Sequence, residues 1–393
     1  MTSARYSPHQ ESRERANLEL VGHSDIGGCG DGMQAMVYDD FLYVGHLGPH
    51  GLSILDVGDP ARPQVAGLVE APVGASSPKV QIADGLLLTN AERRGSAVPE
   101  KTGMGIYDLV DPSRPTQLGF FETKGVGVHR IWYSGGPYAY LSAEIDGFLG
   151  RIFLVIDLSE PDNPIEVGRW WWEGQWTDGG EAPTWSSDIS IELHHGIVSD
   201  GISYTGLWDG GLVLLDVSDP RDPTVLSHLS WAPENGGATH TALPLRSRSL
   251  VVVTDEAVRD NCDEPPKRIR VFDLNDGEPD LLALLPEPVG DFCERGLWFG
   301  PHNLHENSPG TYYSEEIIFA TYANAGVRVY DLRKPENPVE VGYYIPAPAP
   351  GQVVCQSNDI VVDKRHLIYV TDRVGGGVNI LRPTGELARL MAA

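Results

Sequence analysis

Four of the twelve histidines sit in one recurring local setting. Gly-Val-Gly-Val-His129-Arg-Ile, Leu-His194-His195-Gly-Ile, Ala-Thr-His240-Thr-Ala and Gly-Pro-His302-Asn-Leu each open an apolar, strand-like run. Histidines scattered at random would seldom fall at the same place in four successive units. Neutral imidazole is the commonest protein metal ligand, and several rings aimed at one point bind a divalent transition metal at about 2.0–2.1 Å. An all-nitrogen set suits iron, copper, zinc or nickel and disfavours magnesium and calcium. If the units close around an axis, these histidines occupy one arc and leave coordination positions open, as catalytic sites do. The expected ligands are His129, His195, His240 and His302. His195 is preferred to His194 because strand neighbours point to opposite faces, and His305 could add a ligand or lie on the surface. Without a metal, the same rings could act as acid, base or hydrogen-bond donor, or simply bond water and carbonyls.

The equivalent positions in the other units hold Gln34, Lys79 and Asn358-Asp359, so Lys79, Gln34 and Asn358 are the expected catalytic partners. Glu92, Glu144 and Glu256, near second-strand ends, could hold the outer N–H groups of the ligand histidines. Long loops at 92–103, 144–150, 173–192, 256–267 and 289–300 gather on the same face, the usual way a rigid scaffold builds a site. Trp170, Trp171, Trp172, Trp176 and Trp185 could wall an apolar or aromatic pocket there, or pack between units. His46 and His50, in Gly-His-Leu-Gly-Pro-His-Gly, belong to the pocket rim. Gly-Gly-Cys-Gly-Asp-Gly lacks the following helix that phosphate binding needs, and no nucleophile elbow is present.

What positions these residues is a repeat. Leu52-Ser-Ile-Leu-Asp56-Val-Gly-Asp59-Pro60-Ala-Arg-Pro63 recurs as Ile106-Tyr-Asp108-Leu-Val-Asp111-Pro112-Ser-Arg-Pro115. It returns at Leu154–Pro164, Leu214–Pro223, Val271–Asp276 and Val329–Pro338, and faintly at Val378–Pro383. A spacing of about 50 to 60 residues is the size of a four-stranded propeller blade. Asp56, Asp108, Asp157, Asp216, Asp273 and Asp331 are read as turn-formers, since a carboxylate before a Pro-rich turn bonds its own downstream N–H groups. Residues 18–23 resemble a fourth strand and complete the last unit. The expected fold is therefore all-β: a seven-bladed β-propeller over residues 18–385, its ring closed by the N-terminal strand joining the last blade. Residues 1–17 are expected to be a flexible N-terminal segment and 386–393 a C-terminal tail.

Composition agrees. Forty-five glycines and 30 prolines in 393 residues describe short strands and tight turns, and 41% hydrophobic residues suffice for a core. A net charge of -26 argues against nucleic acid and anionic membrane as partners. Four cysteines, with Cys262 and Cys293 as the one pair that could bridge a loop, and no secretory signal point to a cytoplasmic protein. Oligomeric state is not readable.

The Asp-Val-Ser-Asp-Pro units resemble the LVIVD repeat, which implies a propeller and leaves activity open. The histidine channel resembles two further propeller groups. Carotenoid-cleavage oxygenases hold iron with four histidines from separate blades, and selenium-binding proteins, including methanethiol oxidases, carry a histidine-rich metal site. Glu192-Leu-His194-His195 is similar to the latter group, whose cysteine motifs are missing here apart from Cys29. The function expected is a metal-dependent enzyme acting on a small organic substrate of aromatic or apolar character. Oxidoreductase chemistry on iron or copper is favoured over hydrolase or lyase chemistry on zinc or manganese. The competing class is a non-catalytic propeller scaffold that binds proteins.

Overall fold

The computed structural model describes residues 14–275 and 277–392. Seven four-stranded sheets are arranged as a seven-bladed β-propeller. Blade 4 runs as read from sequence, with strands His195–Ser199, Ile202–Gly206, Leu212–Asp216 and Thr224–Leu229 in consecutive antiparallel order. Closure also follows expectation: Leu18–Ser24 pairs antiparallel with Gly377–Pro383, from Leu18 opposite Pro383 to Ser24 opposite Val378. That pairing completes the fourth strand of the last blade and joins the two ends of the ring.

The turn aspartates do what the repeat demands. Asp56, Asp157, Asp216, Asp273 and Asp331 each accept the backbone N–H two residues on at 2.8–2.9 Å, and Asp108 does so at 3.4 Å. Such a bond fixes the chain reversal between third and fourth strands locally, before any blade packs on another.

Apolar residues on both faces of the middle strands form seven clusters, one at each blade interface. Met104 and Ile106 meet Leu141, Ile152 and Leu154 between blades 2 and 3, and Val37, Leu42 and Val44 meet Val361, Tyr369 and Ile380 across the closing interface. The core is thus a ring of seams around a channel, and the channel wall is the one place where the inner strands can hold polar groups.

Two regions differ from the simplest repeat. In blade 6 the innermost place is taken by residues 302–305, which are not a regular strand but still bond to Ile317–Thr321 through His302 N–H to Thr321 O, Thr321 N–H to Asn303 O and His305 N–H to Phe319 O. The short strand Arg15–Ala16 adds an outer edge there, against Val339–Tyr344. Residues 1–13 of the expected flexible segment lie outside the described residues. Residues Gly385–Met391 of the expected tail form a helix whose Leu387 and Met391 are buried beside Leu18 and Phe319.

Cys262 and Cys293 form a disulfide that ties loop 256–267 to loop 289–300. Bonds of this kind persist in oxidising compartments, so the cysteine content does not carry the cytoplasmic placement. No helix among the described residues is long and apolar enough to cross a membrane.

Candidate metal centre in the propeller channel

The inner strands are bent where the expected site residues lie. Register shifts fall between Val128 and Arg130, between Thr239 and Thr241, between Gly32 and Ala35 and between Ser357 and Ile360. Each interval contains a predicted site residue: His129, His240, Gln34 or Asn358. A bulge puts two residues opposite one and re-aims a side chain. This is how His129 and its neighbour Arg130 both enter the channel, against the simple alternation of a strand.

Four imidazoles follow one another around the channel, and they are His129, His194, His240 and His302. His129 Nε2 lies 3.0 Å from His194 Nε2. The His194 and His240 ring centroids are 4.0 Å apart, and those of His240 and His302 are 4.3 Å apart. The expected choice of His195 is corrected: its ring turns the other way, to Glu306 Oε1 at 3.0 Å, a pair without hydrogen-bond alignment, and to the edge of Trp132. His194 precedes the regular strand, bonding through its N–H to Gly206 O, and so is free of the alternation that begins at His195.

Each of the four rings has its Nδ1 engaged, and the partners assign the tautomer. His129 Nδ1 meets Glu92 Oε1 at 3.0 Å, His194 Nδ1 meets the His240 carbonyl at 3.3 Å, and His302 Nδ1 meets the Asn358 carbonyl at 2.6 Å. Carbonyls and carboxylates only accept, so the His129 and His194 Nδ1 atoms carry the proton, whereas His302 Nδ1 also faces the Asn303 amide nitrogen, a donor, at 2.8 Å. His240 Nε2 receives an N–H of Arg130 at 3.1 Å, which leaves its Nδ1–H to donate to Thr241 Oγ1 at 2.7 Å. The Nε2 atoms of His129, His194 and His240 therefore present lone pairs, whereas His302 Nε2 donates toward the ionised Glu256 carboxylate 3.1 Å away. Burial pushes the rings toward the neutral form: His129 is brought down to about 3 by burial and by Arg151, and His194 and His240 stand well below the ordinary histidine value for the same first cause.

Carboxylates close the group. Glu256 Oε1 lies 3.1 Å from His302 Nε2 and Oε2 3.9 Å from His240 Nε2. One ligand atom each from His194, His240 and Glu256 lie within 4.8 Å of one another. Glu256 stays ionised near 2, burial being outweighed by His302, Arg373 and Lys79. Of the three expected supporting glutamates, Glu92 holds His129 as anticipated, Glu256 faces the inward nitrogens, and Glu144 stands in the field of Glu192 and Arg151.

The remaining expected residues separate. Lys79 is buried at 3% exposure, and burial, with Arg130 nearby, pushes its amine well below the ordinary lysine value. Gln34 is a structural clamp whose Oε1 accepts the Val80 N–H at 3.1 Å. The Asn358 carbonyl holds His302, whereas its buried amide side chain has no partner in the protein. His305 is structural, with Nε2 on the Tyr312 carbonyl and Nδ1 accepting the Val362 N–H. His46 is not a rim residue: it is fully buried between Asp31 at 2.7 Å and Ser53 at 2.8 Å. The loop tryptophans pack on their own surroundings, Trp171 against Phe148 and Trp176, and Trp172 against His228.

Sequence reasoning missed Arg130, Trp208, Trp298 and Arg373. Trp208 stacks on His194 with centroids 5.3 Å apart, and the Arg373 guanidinium lies 4.3 Å over Trp298. Arg130 was legible in principle as the residue after His129, had a bulge been allowed for.

The LVIVD repeat family matches residues 29–70 and 197–229, within blade 1 and blade 4. No curated protein sequence matches the chain. Among solved structures, a chain of the mitotic checkpoint complex superposes with a TM-score of 0.59 at 9% identity, covering 98% of this chain and 95% of that one. A Lactobacillus plantarum protein gives 0.55 at 11% identity over 90% and 94%, and the computationally designed Ika8 protein 0.54 at 10% over 95% and 96%. At these identities the likeness is one of fold.

Proposed function

We propose that the channel of this LVIVD-repeat propeller binds a divalent transition-metal ion on His129, His194, His240, His302 and Glu256, and that the protein is a metal-dependent enzyme acting on a small organic substrate. The observation that carries the reading is the inward convergence of the His129, His194 and His240 Nε2 lone pairs, whose outer N–H groups are held, beside the Glu256 carboxylate. Two such atoms 3.0 Å apart repel unless a proton or a cation lies between them. Two ligands at metal distance from one ion stand about 2.9 to 3.4 Å apart for bond angles from square to tetrahedral. Fixing the outer nitrogen is also how proteins orient metal-binding histidines.

One feature opposes a cation. Arg130 occupies the His240 lone pair, so metal binding must displace that contact or use the other donors. The Glu256 carboxylate lowers this cost by supplying negative charge at the ring pair His240 and His302. Within this set His194, His240 and Glu256 lie closest together, and two imidazoles with one carboxylate is the donor composition of non-haem iron(II) sites that activate oxygen. Oxidoreductase chemistry on iron, or on copper, is therefore favoured over hydrolysis or elimination on zinc or manganese. When bound, the ion would polarise a coordinated oxygen or carbonyl.

Elemental analysis of protein purified without a metal-chelating tag, followed by anaerobic titration with iron(II) and by copper(II), zinc and manganese titrations, tests the reading. Wild type is expected to take up one ion per chain. His194→Ala is expected to lose it and His195→Ala to keep it. A chain that binds none of the four metals stoichiometrically, or a His194→Ala protein that binds as well as wild type, refutes it.

A further inference from the structure

The channel has a second end. Along the inner strands of blades 3, 4 and 5 the imidazoles come first, and residues nearer the strand ends, among them Trp132, Ile197 and Leu243, border a cavity of about 430 Å³. An insertion in blade 6 forms one of its walls. The inner hairpins of blades 1, 2 and 4 turn at Asp39–Asp40, Asp84–Gly85 and Asp200–Gly201, whereas in blade 6 residues 306–316 separate His305 from the strand Ile317–Thr321. That loop is fastened in place. Asn307 and Ser314 bond each other at 2.9 and 3.1 Å, the Tyr313 hydroxyl donates to Glu315 Oε1 at 2.6 Å, and Glu315 accepts the Ser247 N–H of blade 5 at 3.1 Å. The loop brings Glu306 and Tyr313 to the cavity.

Trp132, Tyr138, Tyr140 and Tyr313 line the space together with Glu306, Asp200 and Arg246. Arg246 is already bonded to Asp200 at 3.2 Å and to the Tyr204 hydroxyl, and the Trp132 indole donates to the Val198 carbonyl at 2.9 Å. Glu306 is the charged group in the wall without a partner there. Its side chain is 7% exposed. Burial works against its ionisation and is outweighed by His195 and Arg130, which hold the carboxyl at about 2. An ionised carboxylate can accept at about four positions, yet Glu306 receives a single long hydrogen bond among the described residues, from Gln81 Nε2 to Oε2 at 3.4 Å. His195 Nε2 stands 3.0 Å from Oε1 without alignment, and Arg130 stands 3.9 Å away. Gln81 Oε1 and the Nε and second nitrogen of Arg130 are unpaired as well, an acceptor and donors together, the mixture that buried water serves. Neither residue borders the cavity, nor do Lys79 and Asp359. The charges in the wall are thus the Arg246–Asp200 pair and Glu306, and the lining is net negative.

We propose that this cavity binds a small organic ammonium ion, its N–H groups donating to the Glu306 carboxylate and its apolar body lying against Trp132, Tyr138 and Tyr140. A protonated amine answers both features of the wall. Charge-assisted hydrogen bonds supply the donors that the carboxylate lacks, and aromatic rings attract a cation through their quadrupoles. An anion is repelled by the net negative lining, an uncharged body of the same shape forgoes the charge, and a quaternary ammonium ion carries no N–H to donate. The volume suits a ligand of this size. No metal is needed for this binding, which stands at the other end of the channel from the imidazoles.

The probe is 2-phenylethylammonium, compared with 2-phenylethanol as its uncharged counterpart, 3-phenylpropionate as the anion and the N-trimethyl derivative as the cation without N–H. Binding is read by calorimetry with a chelator present, so that no metal ion can ligate the amine. Wild type is expected to bind the primary ammonium ion at least tenfold more tightly than the alcohol or the carboxylate, and more tightly than the trimethyl ion. Glu306→Gln is expected to lose at least tenfold in ammonium affinity with its affinity for the alcohol unchanged, and Tyr138→Leu to lose several-fold. Circular dichroism and thermal melting establish that each variant folds; should Glu306→Gln fail to fold, Tyr138→Leu and the wild-type order of ligands decide. His194→Ala, altered at the other end, is expected to bind the ammonium ion as wild type does. Equal binding of ammonium ion and alcohol, no binding of the ammonium ion at millimolar concentration, or affinity unchanged in both Glu306→Gln and Tyr138→Leu overturns the proposal. Loss of binding in His194→Ala with none in Glu306→Gln overturns it too, placing the amine at the imidazoles.

Discussion

Replacing His305 by glutamine tests whether the channel wall holds its imidazoles neutral by burial. His305 is buried, donates from Nε2 to the Tyr312 carbonyl at 2.6 Å and accepts the Val362 N–H on Nδ1 at 3.3 Å, so a neutral ring satisfies both neighbours. Burial brings its titration down to about 4, against the upward pull of the Tyr312 carbonyl and Glu306. The unfolded chain takes up a proton near pH 6.5 and the folded protein does not, so this residue's contribution to stability is intact above pH 6.5 and is lost as pH falls toward 4. Relative to pH 7.5, the loss is about 1.4 kcal/mol at pH 5.5 and about 2.5 kcal/mol at pH 4.5. Glutamine does not titrate. The variant is expected to be less stable than wild type at pH 7.5 by about 1–3 kcal/mol for the lost hydrogen bonds, and this deficit should shrink by the same 1.4 kcal/mol or so at pH 5.5. Taking the difference between two proteins removes Asp359, whose titration is raised to about 7 by burial and Glu306 and whose effect on stability runs the opposite way. Urea unfolding at the two pH values measures it. A deficit that is constant or grows on acidification refutes the claim that the wall is dry, and with it the argument that the four channel histidines are neutral ligands.

Two further outcomes follow from the geometry. A Cβ on Gly206 would stand 2.7 Å from the Thr239 carbonyl oxygen and 2.8 Å from that of His240, the group that holds His194 Nδ1. Gly206→Ala is expected to cost about 1–3 kcal/mol in urea unfolding and to weaken metal uptake, whereas uptake unchanged by calorimetry would show that this carbonyl does not orient His194. Removing residues 1–24 strips blade 7 of its outer strand Leu18–Ser24. The shortened chain is expected to self-associate in light scattering and to be returned to its original size by a synthetic 14–24 peptide, and a stable, monodisperse shortened chain would contradict closure by this strand.

The architecture was legible because it is written locally and repeatedly. Each of the six turn aspartates fixes its own reversal through a bond to the N–H two residues on, so the turn needs no tertiary partner, and these six with the fainter copy at Val378–Pro383 give seven blades. The arc of histidines was legible for the same reason, since equivalent positions in a repeat meet at the axis. What could not be read was which neighbour turns inward. The choice of His195 over His194 assumed strict alternation, and alternation fails where the chain has not yet joined the sheet, as at His194, or carries an extra residue, as at His129 and His240. Of the two readings open for the tryptophans, packing between units holds for Trp170 and Trp172, which lie against the seam of blades 3 and 4, while Trp171 and Trp176 pack on each other and on Phe148.

The bulges explain how one short channel holds two tiers of polar groups. In a regular inner strand every second side chain would enter the interblade seam, giving one polar residue per blade at the axis. The bulge at Val128–Arg130 presents both His129 and Arg130, the former to Glu92 and His194, the latter to His240 and Asn303. The shift at Ser357–Ile360 turns the Asn358 backbone carbonyl to His302 and the Asp359 side chain to the Ala35 N–H. The upper tier is the four imidazoles, and the lower tier is Arg130, Glu306 and His195. Arg130 touches both, through His240 above and Glu306 at 3.9 Å below, and Asn303 joins them too, accepting from Arg130 and lying 2.8 Å from His302 Nδ1. A ligand that draws Arg130 off His240 must therefore be registered at Glu306, and the two tiers act as one electrostatic unit.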